Sequence, residues 1–574
     1  MFLKITKSKK HQYLSIVESY RESGKVKHRQ IFSFGRLDDF KKNPGWKKVA
    51  KELLSLLGSS PIFADDPDGI EELERVCWGA MVYRKMWDQF DLSSMLRLNH
   101  KHKFRDKDHE ESIFIMMLDR LLCPQSKRAS YMARDRYAYQ GKLSGLEYLQ
   151  LQNFYRALDY LADAKEDLED QLFEKNKNLF NMKIDVVFYD VTTFHFESIV
   201  ADSLKDFGFS KAGKFNEVQI VMGLLVDQEG RPIGFDLFPG NTYEGHTMIE
   251  ALEKLKNRFS IQKVIIVADR GMNSKMNLAT IKKAGFDYIV GAPLKNLKQS
   301  LEKQVLDKEG YLSLQEHETA VQHDSSIEEE ENAFQYKKIH YPQSFKIKAE
   351  HLKHDWQTSE FSVGDTITLE HTLITTYSDK RARKNAKDRE RLVQKAKDLL
   401  VTPSLIKNKK GAKRFVDYQI EDQPVLNQEA IEKDARFDGF YGILASNDSL
   451  KPGEIIEQYH QLWRIEECFR VLKSSMRSRP IFHWTPKRIK GHFVLCFIAF
   501  LLERTLELTM KENNISASPL KIQQAINSLE LSKIKIQEQY YYLKAKPTPL
   551  ANQIIKTLRI SSPKNLAPLH HYPF

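Results

Sequence analysis

The run Val264-Ile-Ile-Val-Ala-Asp269 constrains this chain more than any other segment. Five consecutive apolar residues leave a strand with no solvent face, so it must be covered on both sides. Its neighbours are also strand-like. Lys183-Ile-Asp-Val-Val-Phe-Tyr-Asp190 is a β-branched and aromatic run. Residues 218–226 form another, closed by the turn Asp227-Gln-Glu-Gly230. Residues 232–238 form a third, closed by Pro239-Gly240-Asn241. Apolar spacing predicts helices over 246–258 and 274–284 and a strand over 288–291, giving the order β-β-β-α-β-α-β.

Outside this block the character changes. Residues 1–40 read as a small β-meander, with strand-prone runs at 13–17 and 30–34 and a turn at Ser23-Gly24-Lys25. Residues 70–180 read as helical, with a basic stretch Ser126-Lys127-Arg128 after Pro124. Residues 295–436 read as an insertion. It holds an acidic loop around 324–331, short β-like pieces at 336–341, 361–363, 366–369 and 373–377, and a basic helix over 380–397. An insertion this long is more often functional than a bare loop. Residues 440–445 return as a strand, 454–473 and 486–512 as helices.

The chain has 574 residues, 41% of them apolar, enough for several domains with a buried core. Lysine and arginine number 89 against 77 acids, a net charge of +12. That excess favours a polyanionic partner, because each neutralised phosphate releases condensed counterions. Cys77, Cys123, Cys468 and Cys496 form no CxxC pair, which argues against a zinc ribbon or a disulfide framework. The start lacks a long apolar signal segment, and the most apolar stretch, 493–502, is shorter than the roughly 20 residues a membrane span needs. The expectation is a cytoplasmic protein that meets DNA in the nucleoid, with no membrane partner.

Three acids stand out. Asp190 closes an apolar run, a costly place for a carboxylate unless it is paired or metal-bound; Asp185 has the opposite parity and faces the other side of the strand. Asp269 ends the buried strand and precedes Arg270-Gly271. Glu466 lies in Tyr459-His-Gln-Leu-Trp-Arg-Ile-Glu466-Glu-Cys-Phe-Arg-Val-Leu-Lys473. At about 100° per residue, a spacing of seven returns within about 20° of one line, so Tyr459, Glu466 and Lys473 share a helix face with Trp463 and Arg470. The residues alone leave a second reading open for each acid: an exposed edge-strand Asp190, an N-cap Asp269, and a salt-bridged surface helix around Glu466. A phosphoaspartate phosphatase would want Asp-x-Asp, but Thr192 stands at the second position.

With these residues the chain resembles the DDE transposases of bacterial insertion sequences, in the subgroup with the signature Y-x2-R-x3-E-x6-K. Tyr459, Glu466 and Lys473 match its spacing, while Leu462 occupies the Arg slot. Arg464 is about 140° around the helix from Tyr459, whereas Arg470 is on the signature face. Tyr189-Asp190-Val-Thr-Thr resembles the first-acid motif and Ala268-Asp269-Arg-Gly-Met the second. Phe437-Asp438-Gly439-Phe440 resembles the strand before the third acid, and Arg479-Pro480-Ile-Phe-His-Trp484 with Gly491-His492 the segment after it.

The resemblance implies an α/β fold in which a ribonuclease-H-like catalytic domain is interrupted by a β-rich insertion. The expected organisation is a β-meander over 1–60, a helical DNA-end-binding region over 61–180, a catalytic core over 181–295 and 437–485, the insertion over 296–436, and a helical C-terminal region over 486–574. It implies that Asp190, Asp269 and Glu466 are catalytic and hold two Mg2+ ions, with Mn2+ as a substitute. It implies DNA contacts by Tyr459, Lys473, Arg470 and Arg270, and a flipped base held by an aromatic such as Trp356. The partners would be double-stranded DNA, as terminal inverted repeats and target, and a second copy of the chain in a homodimeric synaptic complex. A transposase-derived DNA-binding protein that no longer cuts is the alternative; loss of an acid would favour it, and all three acids are present.

Overall fold

A computed structural model describes the chain except for residues 9, 23–24, 58–69, 99–105, 140–145, 181–184, 209–215, 243–246, 260, 262–263, 314–334, 353–360, 402–410, 419–423, 447–448, 479–480, 482, 537–538 and 570–574. Trp356, the acidic segment 324–331 and the turn at 23–24 therefore lie outside the described residues. The chain divides into two compact units.

The smaller unit takes Met1–Arg75, Ser532–Leu543 and Lys564–Tyr572. Its N-terminus is an antiparallel sheet of Phe2–Ser8, His11–Glu22 and Lys25–Arg36. The middle strand buries Leu14 and Val17, while the last strand is exposed along most of its length and carries Lys25, Lys27 and Arg29. Phe34 meets Phe40 and Trp46 edge-on at 5.0 and 4.9 Å, which fastens the following helices Leu37–Lys42 and Gly45–Leu56. A four-stranded sheet follows the order Leu566–Pro568, Gln539–Lys544, Glu530–Ile536, Ile70–Cys77. Here the structure departs from the helical readings of 70–180 and 486–574. Ile-Glu-Glu-Leu-Glu-Arg is a helix-favouring string; it becomes a strand because its pairing partner comes from the far end of the chain, and such tertiary pairing overrides local propensity.

The larger unit is built on a nine-stranded mixed sheet. Its strands are β1 (Val186–His195), β2 (Gln219–Val226), β3 (Pro232–Pro239), β4 (Ile265–Ala268), β5 (Asp287–Ala292), β6 (Leu312–Ser313), β7 (Gln335–His340), β8 (Thr372–Tyr377) and β9 (Phe440–Ala445). The spatial order is β6-β7-β8-β9-β5-β4-β1-β2-β3. β1, β2 and β3 are antiparallel neighbours, and β4 runs parallel to β1 and to β5. β9 is antiparallel to β5, and β8, β7 and β6 continue outward from it. The insertion thus extends the main sheet through β9. Residues 361–363, expected as a strand, contain a turn; the local ladder there pairs Gln343–Lys346 with Thr366–Leu369.

Alternation along the strands separates two faces. Val187, Tyr189, Ile266, Ala268, Tyr288 and Val290 point into one core, beneath the helices Met248–Glu253 and Lys275–Lys283. Asp190, Thr192 and Phe194 have the other parity. On that side Phe194 meets Phe493 at 4.9 Å and Phe235 meets Phe497 at 5.2 Å, so the helix Pro486–Glu512 covers it. This helix is buried nearly all round, which explains its unbroken apolar run. It crosses the helix Leu151–Asp163 so closely that a Cβ on Gly491 would stand 1.9 Å from the Leu158 carbonyl oxygen. No helix among the described residues is long and apolar enough to cross a membrane. Lys127, read as part of a basic loop, is 4% exposed, and burial holds its ammonium well below the usual range.

Candidate functional site

The parallel pairing of β1 with β4 sets Tyr189 opposite Ala268. Each acid is one residue beyond that last pair, Asp190 within β1 and Asp269 just past the end of β4, so their backbones emerge from neighbouring strands. Asp190 is half-buried, and its Oδ1 accepts the Val191 N–H at 2.8 Å. Asp269 Oδ1 accepts the Gly271 N–H at 2.7 Å and caps the short turn Arg270–Met272. The two readings of Asp269 thus coincide: it ends the strand and caps the turn.

The segment 454–473, expected as one helix, forms two: Pro452–His460 and Trp463–Arg470, the second running into a wide π-turn at Val471–Ser475. At the joint the hydrogen bonds tighten to i−3, from Leu462 N to Tyr459 O and from Ile465 N to Leu462 O, both 3.2 Å. The sevenfold phasing of Tyr459 with Glu466 is broken there. Contacts with the sheet explain why. Tyr459 packs over Gly291, where a Cβ would lie 2.6 Å from its hydroxyl, and it shares a 2.5 Å hydrogen bond with the Tyr441 hydroxyl. Glu466's helix is fastened elsewhere: Arg464 donates to the Gln228 carbonyl, and Cys468 Sγ lies 3.6 Å from the Gly230 carbonyl, both at the β2–β3 turn. Lys473 Nζ donates to Thr192 Oγ1, one pleat along β1 from Asp190.

Of the signature residues, Tyr459 and Lys473 consequently contact the sheet at different points, while Glu466 does not contact it in any described bond. Tyr459 lies near Asp269; burial first, then Tyr441 and the Asp269 charge, push its phenol far above the usual range. Lys473 stands beside Asp190's strand and Glu466 is exposed on the helix between the two anchors. Arg270 is exposed directly after Asp269. Arg470 is exposed and pairs with Glu467 at 2.9 Å. Arg464 turns inward, and burial lowers its guanidinium. Trp356 is outside the described residues. Reading the sequence assigned Thr192 no role at the site and did not single out Tyr441 or Arg381. Thr192's two-residue spacing from Asp190 was a usable signal; Tyr441 offered none.

Among the described residues no three acid, histidine or cysteine side chains gather closely enough to hold a metal ion by themselves. The donor chemistry nevertheless fits a hard divalent cation. Mg2+ takes one or two carboxylates and fills its remaining positions with water and substrate phosphate, and Asp190 and Asp269 offer two carboxylates, each one residue beyond the last β1–β4 pair.

Residues 181–502, more than half of the chain, match the family model described as the transposase DDE domain. The chain belongs to this family and is a DDE-type transposase, an enzyme of DNA transposition whose domain class works with divalent metal ions. At its N-terminus, residues 3–60 match the model for the IS1634 family transposase, N-terminal domain. Two solved structures are similar in part. One is the piggyBac transposase synaptic complex with hairpin DNA, at 9% identity, covering 79% of this chain and 78% of that chain with a TM-score of 0.34. The other is the Mos1 transposase paired-end complex with left transposon end, at 13% identity, covering 33% and 60% with a TM-score of 0.14. No curated protein matches the chain.

Proposed function

We propose that the chain binds the terminal inverted repeats of its own insertion sequence, cleaves DNA there and joins the freed ends to target DNA. Asp190, Asp269 and Glu466 are the catalytic carboxylates, on a ribonuclease-H-like core formed by β3-β2-β1-β4-β5 and the helices that cover it. The observation that supports the reading is the β1–β4 register, whose last pair, Tyr189 with Ala268, directly precedes both acids, together with the tie from Lys473, just after the helix bearing the third acid, to Thr192 on β1. The three antiparallel strands followed by two parallel ones support the core assignment.

Asp190, Asp269 and Glu466 would hold two Mg2+ ions, replaceable by Mn2+, which would supply activation of the attacking oxygen and stabilisation of the leaving one. The chain's own residues bind and orient. Asp190 and Asp269 are held by the Val191 and Gly271 N–H groups, which limits their rotation. Lys473, Arg270 and Arg470 approach the DNA backbone, in keeping with the Y-x2-R-x3-E-x6-K subgroup despite Leu462, while Tyr459, buried and bonded to Tyr441, supports this face from beneath. Two copies pair two ends in a synaptic homodimer, in the nucleoid.

The test is cleavage of duplex DNA carrying the element's end. Asp190→Asn, Asp269→Asn and Glu466→Gln each remove metal-dependent cleavage and leave end binding within about twofold. Wild-type cleavage by any one of them removes that acid from the assignment; absence of cleavage by the unaltered chain, with binding intact, points instead to a DNA-binding protein that no longer cuts.

A further inference from the structure

The insertion helix Asp379–Leu400 starts at the cap Ser378, whose hydroxyl accepts the Arg381 N–H at 3.3 Å. Its first turn packs on β9 through Arg381 and lines one cleft with Arg270, the residue after Asp269. The Arg381 guanidinium sits 4.2 Å from the centre of the Tyr441 ring, and the Tyr441 hydroxyl bonds to that of Tyr459. Between this helix and the sheet is a cleft of about 210 Å³ lined by Arg270, Lys295, Arg381, Arg389 and Arg414 and by the acids Asp434, Asp438 and Asp388, the last paired with Arg391 at 3.6 Å. Three of these cations already have acids: Lys295 and Arg414 reach Asp434 at 2.5 and 2.9 Å, and Arg389 reaches Asp438 at 2.5 Å. Among the described residues no carboxylate pairs with Arg270 or Arg381. A second cleft, of about 260 Å³, lies along Arg381 with Tyr459 and His460.

A half-buried guanidinium without a counterion is costly, and burial lowers the Arg381 cation from its ordinary range. Its planar fork matches the oxygens of a phosphodiester. We propose that Arg381 and Arg270 form a phosphate-binding site that grips the DNA strand next to Asp269, so that the insertion helix contributes directly to the active-site cleft. This rests on the reading of Asp269 as an active-site acid. The ligand is a backbone phosphate of bound DNA, and the contact is independent of base sequence.

The experiment is titration of the full chain with a fluorescent duplex carrying the element's end, across a series of KCl concentrations. Each phosphate contact contributes about 0.9 to the slope of log K against log salt. Arg381→Ala and Arg270→Ala each make the slope shallower by about 0.9, the double variant by about twice that, and Arg381→Lys restores it. A purely structural role under Tyr441 changes melting temperature and leaves the slope alone. Arg381→Met keeps the apolar stem on the ring and serves if the alanine variant does not fold. An unchanged slope in the folded Arg381 variants overturns the proposal. Asp269→Asn separates the two readings: continued cleavage by that variant removes the acid assignment, whereas the arginine slopes are read from binding alone.

Discussion

At Asp269 one carboxylate oxygen receives the Gly271 N–H, and the residue also ends the strand that lies beside Asp190. The strand end was legible in the sequence because an acid after five apolar residues has few places to go. The partners around Glu466 were less legible. Helical periodicity treats 459–473 as a uniform rod, but the joint at 461–462 and the π-turn at 471–475 reset the phase twice. The two arginines of this segment separate accordingly. Arg464 donates to a backbone carbonyl from a partly buried position, so Arg464→Ala lowers stability by about 1–3 kcal/mol, measured by denaturant melts. Arg470 forms an exposed pair of a kind worth about 0–1 kcal/mol, so Arg470→Ala leaves the melt nearly unchanged while slowing strand transfer. Strand transfer reduced more by Arg464→Ala, at matched folded fraction, removes Arg470 as a phosphate contact.

Between elements, the helix Lys165–Phe180 is tied to β3 and to the turn after Met248–Glu253 by a buried ion cluster. Glu169, 2% exposed, meets Lys165 at 3.0 Å, Lys254 at 3.1 Å and Arg258 at 3.3 Å. Burial pushes the Glu169 carboxyl up, but Lys254 and Lys165 outweigh it and hold the group below the usual range. Glu169→Gln leaves buried cations without their acid and costs about 3–5 kcal/mol by chemical denaturation; a loss below about 1 kcal/mol contradicts the burial of this cluster. Gly491 acts by absence. With a Leu158 carbonyl 1.9 Å from where its Cβ would be, Gly491→Ala forces the helices Pro486–Glu512 and Leu151–Asp163 apart at a cost of about 1–3 kcal/mol, again read in a melt. Sequence pattern located both helices; it carried no sign of which glycine would touch the other backbone.

Across the larger unit, the buried His371 and His492 and the half-buried His483 bear on the pH response. Burial lowers His371 to about 4 and His483 to about 3, and drives His492 well below 6.5. His371 faces Tyr288 at 2.8 Å and feels His340 and Lys275; His492 and His483 feel Lys127 and Arg120. A base whose folded pKa is depressed binds fewer protons when folded, so stability is present above pH 6.5 and is lost as pH falls toward the folded values. Glu503, raised to about 7 by burial, works oppositely: its contribution is lost as pH rises from 4.5 through 7. Glu507, Glu250 and Asp227 are also raised by burial and act in the same direction as Glu503, so the His371 contribution is read by comparing the acid slopes of the unaltered chain and a His371 variant. His371 alone accounts for roughly 2 kcal/mol at pH 5. His371→Asn is less stable at neutral pH and shows a shallower acid slope; an unchanged slope removes His371 from the account.

By itself the sequence determined the strand runs, the order of the central α/β block and the positions of Asp190 and Asp269, because burial on two faces and alternation along a strand are local properties. Only the tertiary structure decided that the insertion's strands continue the main sheet through β9, that Ile70–Cys77 pairs with a strand near the other end of the chain, and that Arg381 packs on Tyr441 and shares a cleft with Arg270. These depend on hydrogen bonds and contacts between residues far apart in sequence, and no short-range pattern encodes which distant segment will supply them.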